Sequence, residues 1–251
     1  MNFLKKKSYW QQDIKKVEYA GALIKGLGIV GGIAYLFYRS GWAVIFLIPL
    51  FFWYLKEWNE QSIRKKQEEF QIQFKEALQN LSAALNIGYS VENAMKETLK
   101  DLKLLYHGNS RIIQEFTYMV HQLNINVTAE QVLLEFATRV RQEDVQNFVT
   151  VFVTAKRSGG DMLAILKNTG TQICGKIEVK KEIQTMMSAK RLEFQVMTAI
   201  PFGILLYMRL SFPEFMGMLY GNALGAGVMT VCLLVYLMAY EMGKQIVEIE
   251  V

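Results

Sequence analysis

Two cysteines, two histidines and three prolines are all that the 251 residues hold of those types. Cys174 and Cys232 are far apart and match no metal or redox spacing. This excludes a disulfide scaffold and a zinc module and points to a reducing compartment. The scarcity of proline, with no alternating apolar and polar run, excludes a strand-rich fold and predicts an almost wholly helical chain. The signatures GxxxxGK[ST], HExxH and CxxC and the nucleophile elbow are all missing. His107 lies near an inter-helix joint and His121 on a helix, positions that suit surface or packing roles better than metal binding. Ser62-Ile63-Arg64-Lys65 spells SxxK without its companion motifs. Glu143 and Asp144 are adjacent, so they are expected to point to different parts of a helix and make a poor acid/base pair. The expectation is a protein that is not an enzyme, with no catalytic residues, no cofactor and no metal.

What the chain does have is segregation. It is 52% hydrophobic and 20% charged, with a mean hydropathy of +0.15. Gly26 to Tyr38, Ser40 to Leu55, Phe194 to Met208 and Phe215 to Tyr240 carry no charge. Lys56 to Glu193 between them is charge-rich. A crossing helix needs about 20 residues, with a lower limit near 17. Gly221 to Tyr240 and Gly21 to Tyr38 meet that length, with Lys25 near an end where it can snorkel. Gly41 to Leu55 and Phe194 to Leu210 are shorter.

Lysines and arginines orient these segments. Lys5, Lys6, Lys7, Lys15, Lys16 and Lys25 precede the first pair, Lys56, Arg64, Lys65 and Lys66 follow it, and only Arg39 lies between. Positive flanks belong in the cytoplasm, so the number of crossings is even. Trp42 at one end and Trp53, Tyr54 and Trp58 at the other suit interfacial belts. At the other end Lys244 follows the last run, and the connection from Ser211 to Tyr220 has no Lys or Arg, although Arg209 precedes it. The reading is a multi-pass membrane protein, with both termini cytoplasmic. It divides into a basic N-terminus at 1–20, a transmembrane hairpin at 21–55, a cytoplasmic helical domain at 56–193, a second hairpin at 194–240 and a tail at 241–251. Gly26-Leu27-Gly28-Ile29-Val30-Gly31 spells GxGxxG, but no strand precedes it, so dinucleotide binding is set aside. Gly28 with Gly32, and Gly221 with Gly225, are instead read as GxxxG contacts for a helix of this chain or of a second copy.

Six stripes at helical spacing mark the polar middle. They are Phe70–Phe74–Ala77–Leu78–Leu81–Leu85, Val91–Ala94–Met95–Thr98–Leu102, Ile112–Phe116–Met119–Val120–Leu123, Val132–Phe136–Val140, Val145–Phe148–Val149–Phe152–Ala155 and Met162–Leu166–Ile173–Ile177. They are core stripes of an antiparallel helical bundle. Turns fall at Gly88-Tyr89-Ser90, Asn126-Val127-Thr128 and Ser158-Gly159-Gly160-Asp161. Ser90, Thr128 and Asp161 are the expected N-caps, and Thr128 and Gln131 have capping-box spacing. After Asp161 no breaker precedes Pro201, so one long helix is expected to run into the third membrane segment. Trp58 to Asn86 is likewise expected to continue from the second. Lys56 to Glu193 holds 19 Lys/Arg against 17 Asp/Glu, a balance that excludes nucleic acid as a partner. Residues 1–41 hold seven basic and two acidic residues and suit the anionic lipids of the inner leaflet. Lys180, Lys181, Lys190 and Arg191 suit the same lipids or an acidic partner protein.

These motifs meet a known pattern. Leu81-Ser82-Ala83-Ala84-Leu85-Asn86-Ile87-Gly88-Tyr89-Ser90-Val91-Glu92-Asn93-Ala94 resembles the opening signature of the type II secretion system F domain. Ala155-Lys156-Arg157-Ser158-Gly159-Gly160-Asp161-Met162 is similar to its second signature. Lys190-Arg191-Leu192-Glu193 followed by Pro201-Phe202 resembles its entry into the third membrane segment. The closing Ile246-Val247-Glu248-Ile249-Glu250-Val251 is similar to the C-terminus of B-type assembly proteins of the Tad (tight adherence, Flp pilus) system. One departure is Asn126, at a turn where the family usually has Gly; Asn tolerates the left-handed conformation. The resemblance implies an all-α integral membrane platform of a pilus or secretion machine. Its expected partners are a cytoplasmic secretion or pilus ATPase, pilin subunits, membrane lipids and, because only one F domain is present, a paralogous subunit or a second copy. The positions nominated are Gly88, Ser90, Lys156, Gly159, Gly160, Asp161, Lys180, Lys181, Lys190, Arg191 and Pro201. The alternative is a subunit of a transporter or channel, against which stands the near absence of ionisable groups within the membrane runs. Reporter fusions at residues 40 and 216 are expected to report the non-cytoplasmic side, and a fusion at the C-terminus the cytoplasm. A cytoplasmic signal at residue 40 would sink the first hairpin.

Overall fold

The computed structural model describes residues 9–10, 16–38, 47–108, 110–158, 162–220 and 222–247. Among them the chain forms nine α-helices and no strand: α1 Lys16–Tyr38, α2 Ile48–Ile87, α3 Val91–Leu105, α4 Arg111–Asn124, α5 Ala129–Val140, α6 Glu143–Ser158, α7 Met162–Ser211, α8 Pro213–Tyr220 and α9 Ala223–Val247. The protein is all-α. It divides into two compact units, one of Met1–Asp13 and Ile63–Lys180, the other of Ile14–Ser62 and Lys181–Val251. Helices α2 and α7 contribute residues to both, and neither breaks at Asn59 or Ala189.

In the first unit the helical stripes close on one core. Phe70, Phe74, Met95, Leu102, Ile112, Met119, Val132, Phe136, Val140, Val145, Phe152 and Leu166 are among its buried side chains. Phe136 is central, with ring centroids 6.2 Å from Phe74, 6.4 Å from Phe70 and 6.5 Å from Phe116. Spaced rings of this kind add edge and offset contacts to the burial of their area. The last stripe is confirmed at Leu166, Ile173 and Ile177; the side chain of Met162 lies outside the described set.

Two joints repeat one backbone motif. At the end of α2, Gly88 takes φ +100°; its N–H reaches Leu85 O at 3.1 Å, and the Tyr89 N–H reaches Ala84 O at 3.3 Å. At the end of α4, Asn126 takes φ 62°; its N–H reaches Leu123 O at 3.1 Å, and the Val127 N–H reaches Gln122 O at 3.1 Å. Both are Schellman closures, which satisfy carbonyls that a helix end would otherwise leave open. Each is followed by a capped helix: Ser90 Oγ accepts the Asn93 N–H at 3.3 Å, and Thr128 Oγ1 accepts the Gln131 N–H at 3.4 Å. The third expected joint falls on residues 159–161, outside the described residues.

The joint between α5 and α6 carries no glycine and was not foreseen. Arg141 takes the left-handed conformation at φ 53°. Its N–H reaches Ala137 O at 3.0 Å and its Nε donates to Thr138 O at 3.3 Å, while the buried Gln142 donates to Gln67 O at 3.4 Å. These bonds hold a conformation that a non-glycine residue does not adopt freely.

Among the described residues three helices are long and apolar enough to cross a membrane, namely α1, the Ala164–Ser211 stretch of α7 and the Leu224–Val247 stretch of α9. The remaining expected crossing, Gly41 to Leu55, straddles residues 39–46, which lie outside the described residues. Pro201 does not end α7, which continues to Ser211. Proline is tolerated inside membrane helices where neighbours re-satisfy the freed backbone groups. Replacing Ser90 or Thr128 by Ala is expected to lower stability by about 1 kcal/mol each, and Phe136→Ala by about 3–5 kcal/mol. Denaturation followed by circular dichroism in detergent reads all three, and equal losses for caps and core would contradict this ranking.

Candidate functional site

The nominated residues fall into three places. Gly88 and Ser90 share the exposed joint between α2 and α3. Lys156 is exposed near the end of α6, and Gly159, Gly160 and Asp161 lie outside the described residues. Lys180, Lys181, Lys190, Arg191 and Pro201 are all on α7. Of the four basic residues, Lys181, Lys190 and Arg191 are exposed and Lys180 is half-buried; Lys190 Nζ pairs with Glu193 Oε2 at 3.0 Å. Among the described residues no group of three or more His, Cys, Asp or Glu could hold a metal.

The polar contacts that are buried are structural. Asp144 is buried and, contrary to the expectation that it and Glu143 point apart, both carboxylates meet Lys176, at 2.9 and 3.3 Å. The shared cation joins the first turn of α6 to α7. Lys75 and Glu178 add a second pair between α2 and α7 at 3.4 Å. Gly170 lets these two helices approach, since a Cβ there would stand 3.3 Å from Ser82 Oγ. Tyr106 donates to Glu76 Oε2 at 2.7 Å; burial first, and this bond second, hold its pKa well above the usual tyrosine range. The phenol therefore stays protonated and keeps donating at any physiological pH.

In the second unit the contacts gather on one seam. Residues 229, 233, 236, 240 and 243 of α9 follow a four–three spacing. Met229 and Leu233 are buried with Val30, Ile33, Ala34 and Phe37 of α1 and with Leu47. Tyr236 packs edge-on against Phe202 of α7 at 5.2 Å and donates its hydroxyl to Thr198 O at 2.9 Å. That carbonyl lies one residue beyond Met197 O, which loses its ladder partner because Pro201 has no N–H. Tyr240 packs on Phe194 at 5.6 Å and on Trp53 at 6.1 Å. A Cβ on Gly243 would stand 2.5 Å from Phe194 Cε2. Lys244 pairs with Glu57 of α2, both mostly buried.

Within this chain the GxxxG spacing of α1 makes no helix contact. Added Cβ atoms at Gly28, Gly31 or Gly32 would meet nothing within 4 Å, whereas one at Gly26 would stand 2.9 Å from Tyr54 and 3.0 Å from Phe51. Close approach uses Gly26 and Gly243, because the buried stripe of α1 runs through Ala22, Gly26, Val30, Ile33 and Phe37. Gly221 lies outside the described residues.

Arg209, an outlier to the charge rule in the sequence, has a local role. Its guanidinium lies 3.6 Å over the Tyr35 ring and donates to Tyr35 O, while the Tyr220 hydroxyl donates to Leu36 O. Both carbonyls belong to the last turn of α1, where helix carbonyls lack intrahelical partners and the dipole favours a cation. Sequence reasoning missed this cap and the α9 seam. The four–three spacing of α9 was a readable signal; the partners of Arg209 were not.

Together these observations define a membrane-anchored helical scaffold whose buried polar groups bind helices to one another. A family model for the type II secretion system (T2SS), protein F, matches residues 77–209, more than half of the chain, and the protein belongs to that family. The match runs from α2 to the end of α7 and contains every nominated position from Gly88 to Pro201. No curated protein and no solved structure matches the chain. The family consists of membrane platform proteins of type II secretion and type IV pilus-like systems, which work with cytoplasmic ATPases. With its apolar helices, membership makes this an inner-membrane protein. Gly26→Leu and Gly243→Leu are expected to lower the melting temperature in detergent, by crowding Tyr54 and Phe194, while Gly28→Leu and Gly32→Leu leave it unchanged. Equal effects at all four positions would refute the seam.

Proposed function

We propose that the protein is a non-enzymatic platform of a Tad/Flp-type pilus assembly machine, and that it passes movement from a cytoplasmic ATPase to pilin subunits leaving the membrane. One observation carries this reading: α2 and α7 run without a break through Asn59 and Ala189, from charge-rich sequence into apolar sequence. A long helix that is unbroken at these points, ahead of Pro201 in α7, is a stiff element there, and stiffness is what transmission requires. The similarity of Ile246–Val251 to a stretch of B-type Tad proteins favours that branch of the family, with a paralogous subunit or second copy as partner.

In this reading residues 56–193 are the cytoplasmic domain, residues 21–55 and 194–240 are hairpins, and both termini are cytoplasmic. The joints at Gly88–Ser90 and at Lys156 with Gly159–Asp161 are contact points for the machine. Lys180, Lys181, Lys190 and Arg191 meet either anionic headgroups or acidic side chains of the ATPase as α7 nears the bilayer. Pro201 marks where the helix has entered lipid. Insertion of three glycines after Asn59 or after Ala189 is expected to abolish pilus assembly in cells while leaving membrane insertion and ATPase co-purification intact. Normal assembly with either insertion would overturn the transmission role, and failure of the wild-type protein to co-purify any secretion ATPase would overturn the platform reading.

A further inference from the structure

The N-terminal segment is polar and lysine-rich around two aromatic residues, Tyr9 and Trp10. In the structure they form a single helical turn that belongs to the first unit. Trp10 is only 5% exposed and is part of that unit's core, packing edge-on against Phe70 of α2 at 5.3 Å. Tyr9 donates its hydroxyl to Glu115 Oε1 at 2.6 Å. Arg111 holds the same tyrosine in two ways, with its guanidinium 4.1 Å above the ring and Nη2 donating to the Tyr9 carbonyl at 3.0 Å. Both receptor residues lie in the first two turns of α4.

The groove is built independently of its occupant. Glu115, only 6% exposed, also accepts two bonds from Arg139 of α5, from Nε at 3.1 Å and Nη2 at 2.9 Å. Arg139 in turn lies 4.4 Å over Tyr118. Removing Tyr9 therefore leaves a carboxylate still paired and still positioned, with an acceptor oxygen free. The occupant, by contrast, is two residues in a segment whose neighbours on either side, Lys5 to Ser8 and Gln11 to Asp13, are polar. A buried aromatic anchor with a charge-assisted bond beside it is the composition of a peptide-recognition site. An ordinary core helix has instead a continuous apolar stripe.

We propose that the groove formed by Phe70, Arg111, Glu115 and Arg139 is a recognition site for a Tyr-Trp peptide segment, and that the chain's own N-terminus occupies it as a releasable latch. Five residues separate the latch from Lys16, where α1 begins.

The test uses the full-length protein in nanodiscs and a fluorescein-labelled peptide of residues 3–13. The Trp10→Ala protein, with its latch disabled, is expected to bind the peptide at least tenfold more tightly than the wild-type protein, whose groove is filled. Adding Glu115→Gln to that variant is expected to weaken binding by roughly tenfold, the scale of one charge-assisted hydrogen bond. A peptide with Ala in place of Trp should bind at least tenfold more weakly. Equal binding to wild type and Trp10→Ala, or no binding to a Trp10→Ala protein that keeps its helical signal and melting temperature, would overturn the proposal. Should Trp10→Ala not fold, a protein with Trp42, Trp53 and Trp58 changed to Phe leaves Trp10 as the sole indole. Acrylamide quenching at least fivefold weaker than in the free peptide, rising when excess unlabelled peptide with Phe for Trp is added, supports the latch. Quenching equal to that of the free peptide, or unmoved by the competitor, overturns it.

Discussion

Backbone polar groups cannot go unpaired in hydrocarbon, and that requirement governs the apolar half of this chain. It explains why the segments are helices and where the polar side chains among them sit. The hydroxyl of Tyr236 meets a carbonyl one residue from the site where Pro201 interrupts the α7 ladder. Arg209 and Tyr220 meet carbonyls in the last turn of α1. Each is a polar side chain on one helix completing the backbone of another. The apolar residues between them set spacing and packing, as Gly26 and Gly243 do by letting rings approach.

The charge-rich unit meets the same requirement with water available, and solves it by local closure. Gly88 and Asn126 end their helices with the same pair of hydrogen bonds, and Ser90 and Thr128 open the next ones. Because each joint satisfies its own backbone, the helices between can be held by side-chain burial around Phe136, with ion pairs such as Asp144–Lys176 at the edges. Half-buried pairs of this kind fix which turn of one helix faces which turn of another more than they add stability. That matters for α6 and α7, which Lys176 ties together.

Much of this was legible from the residues. The six stripes were readable because three- and four-residue spacing maps onto one helix face wherever one face is buried, and the stripes from Phe70 to Ile177 are the core. Ser90, Thr128 and Asn126 were readable because caps and left-handed turns act within a few residues. The α5–α6 joint was not, because Arg141 is an ordinary helix former whose conformation is imposed by Gln142 reaching Gln67, 75 residues away. Gly28 and Gly32 do not pack within this chain for a related reason: a spacing states that two helices can approach, and only the neighbouring helices decide which glycine they use. The charge rule identified Arg209 as out of place without revealing that a helix end compensates it. The long helix through Pro201 was readable because the apolar run from Phe194 to Leu210 continues on both sides of it.

The contact between Tyr9 and Glu115 spans 106 residues. During synthesis the N-terminal aromatic pair leaves the ribosome long before its receptor exists. Phe70 must follow, then the whole of α3, before α4 supplies Arg111 and Glu115. Closing so long a loop costs entropy that nearby contacts do not incur, so this contact forms late in folding. Until then the two aromatic side chains lack their receptor, and the lysine-rich sequence around them has a composition suited to the bilayer surface. The order of synthesis thus gives one short segment two successive environments, first the lipid interface and then the helical core.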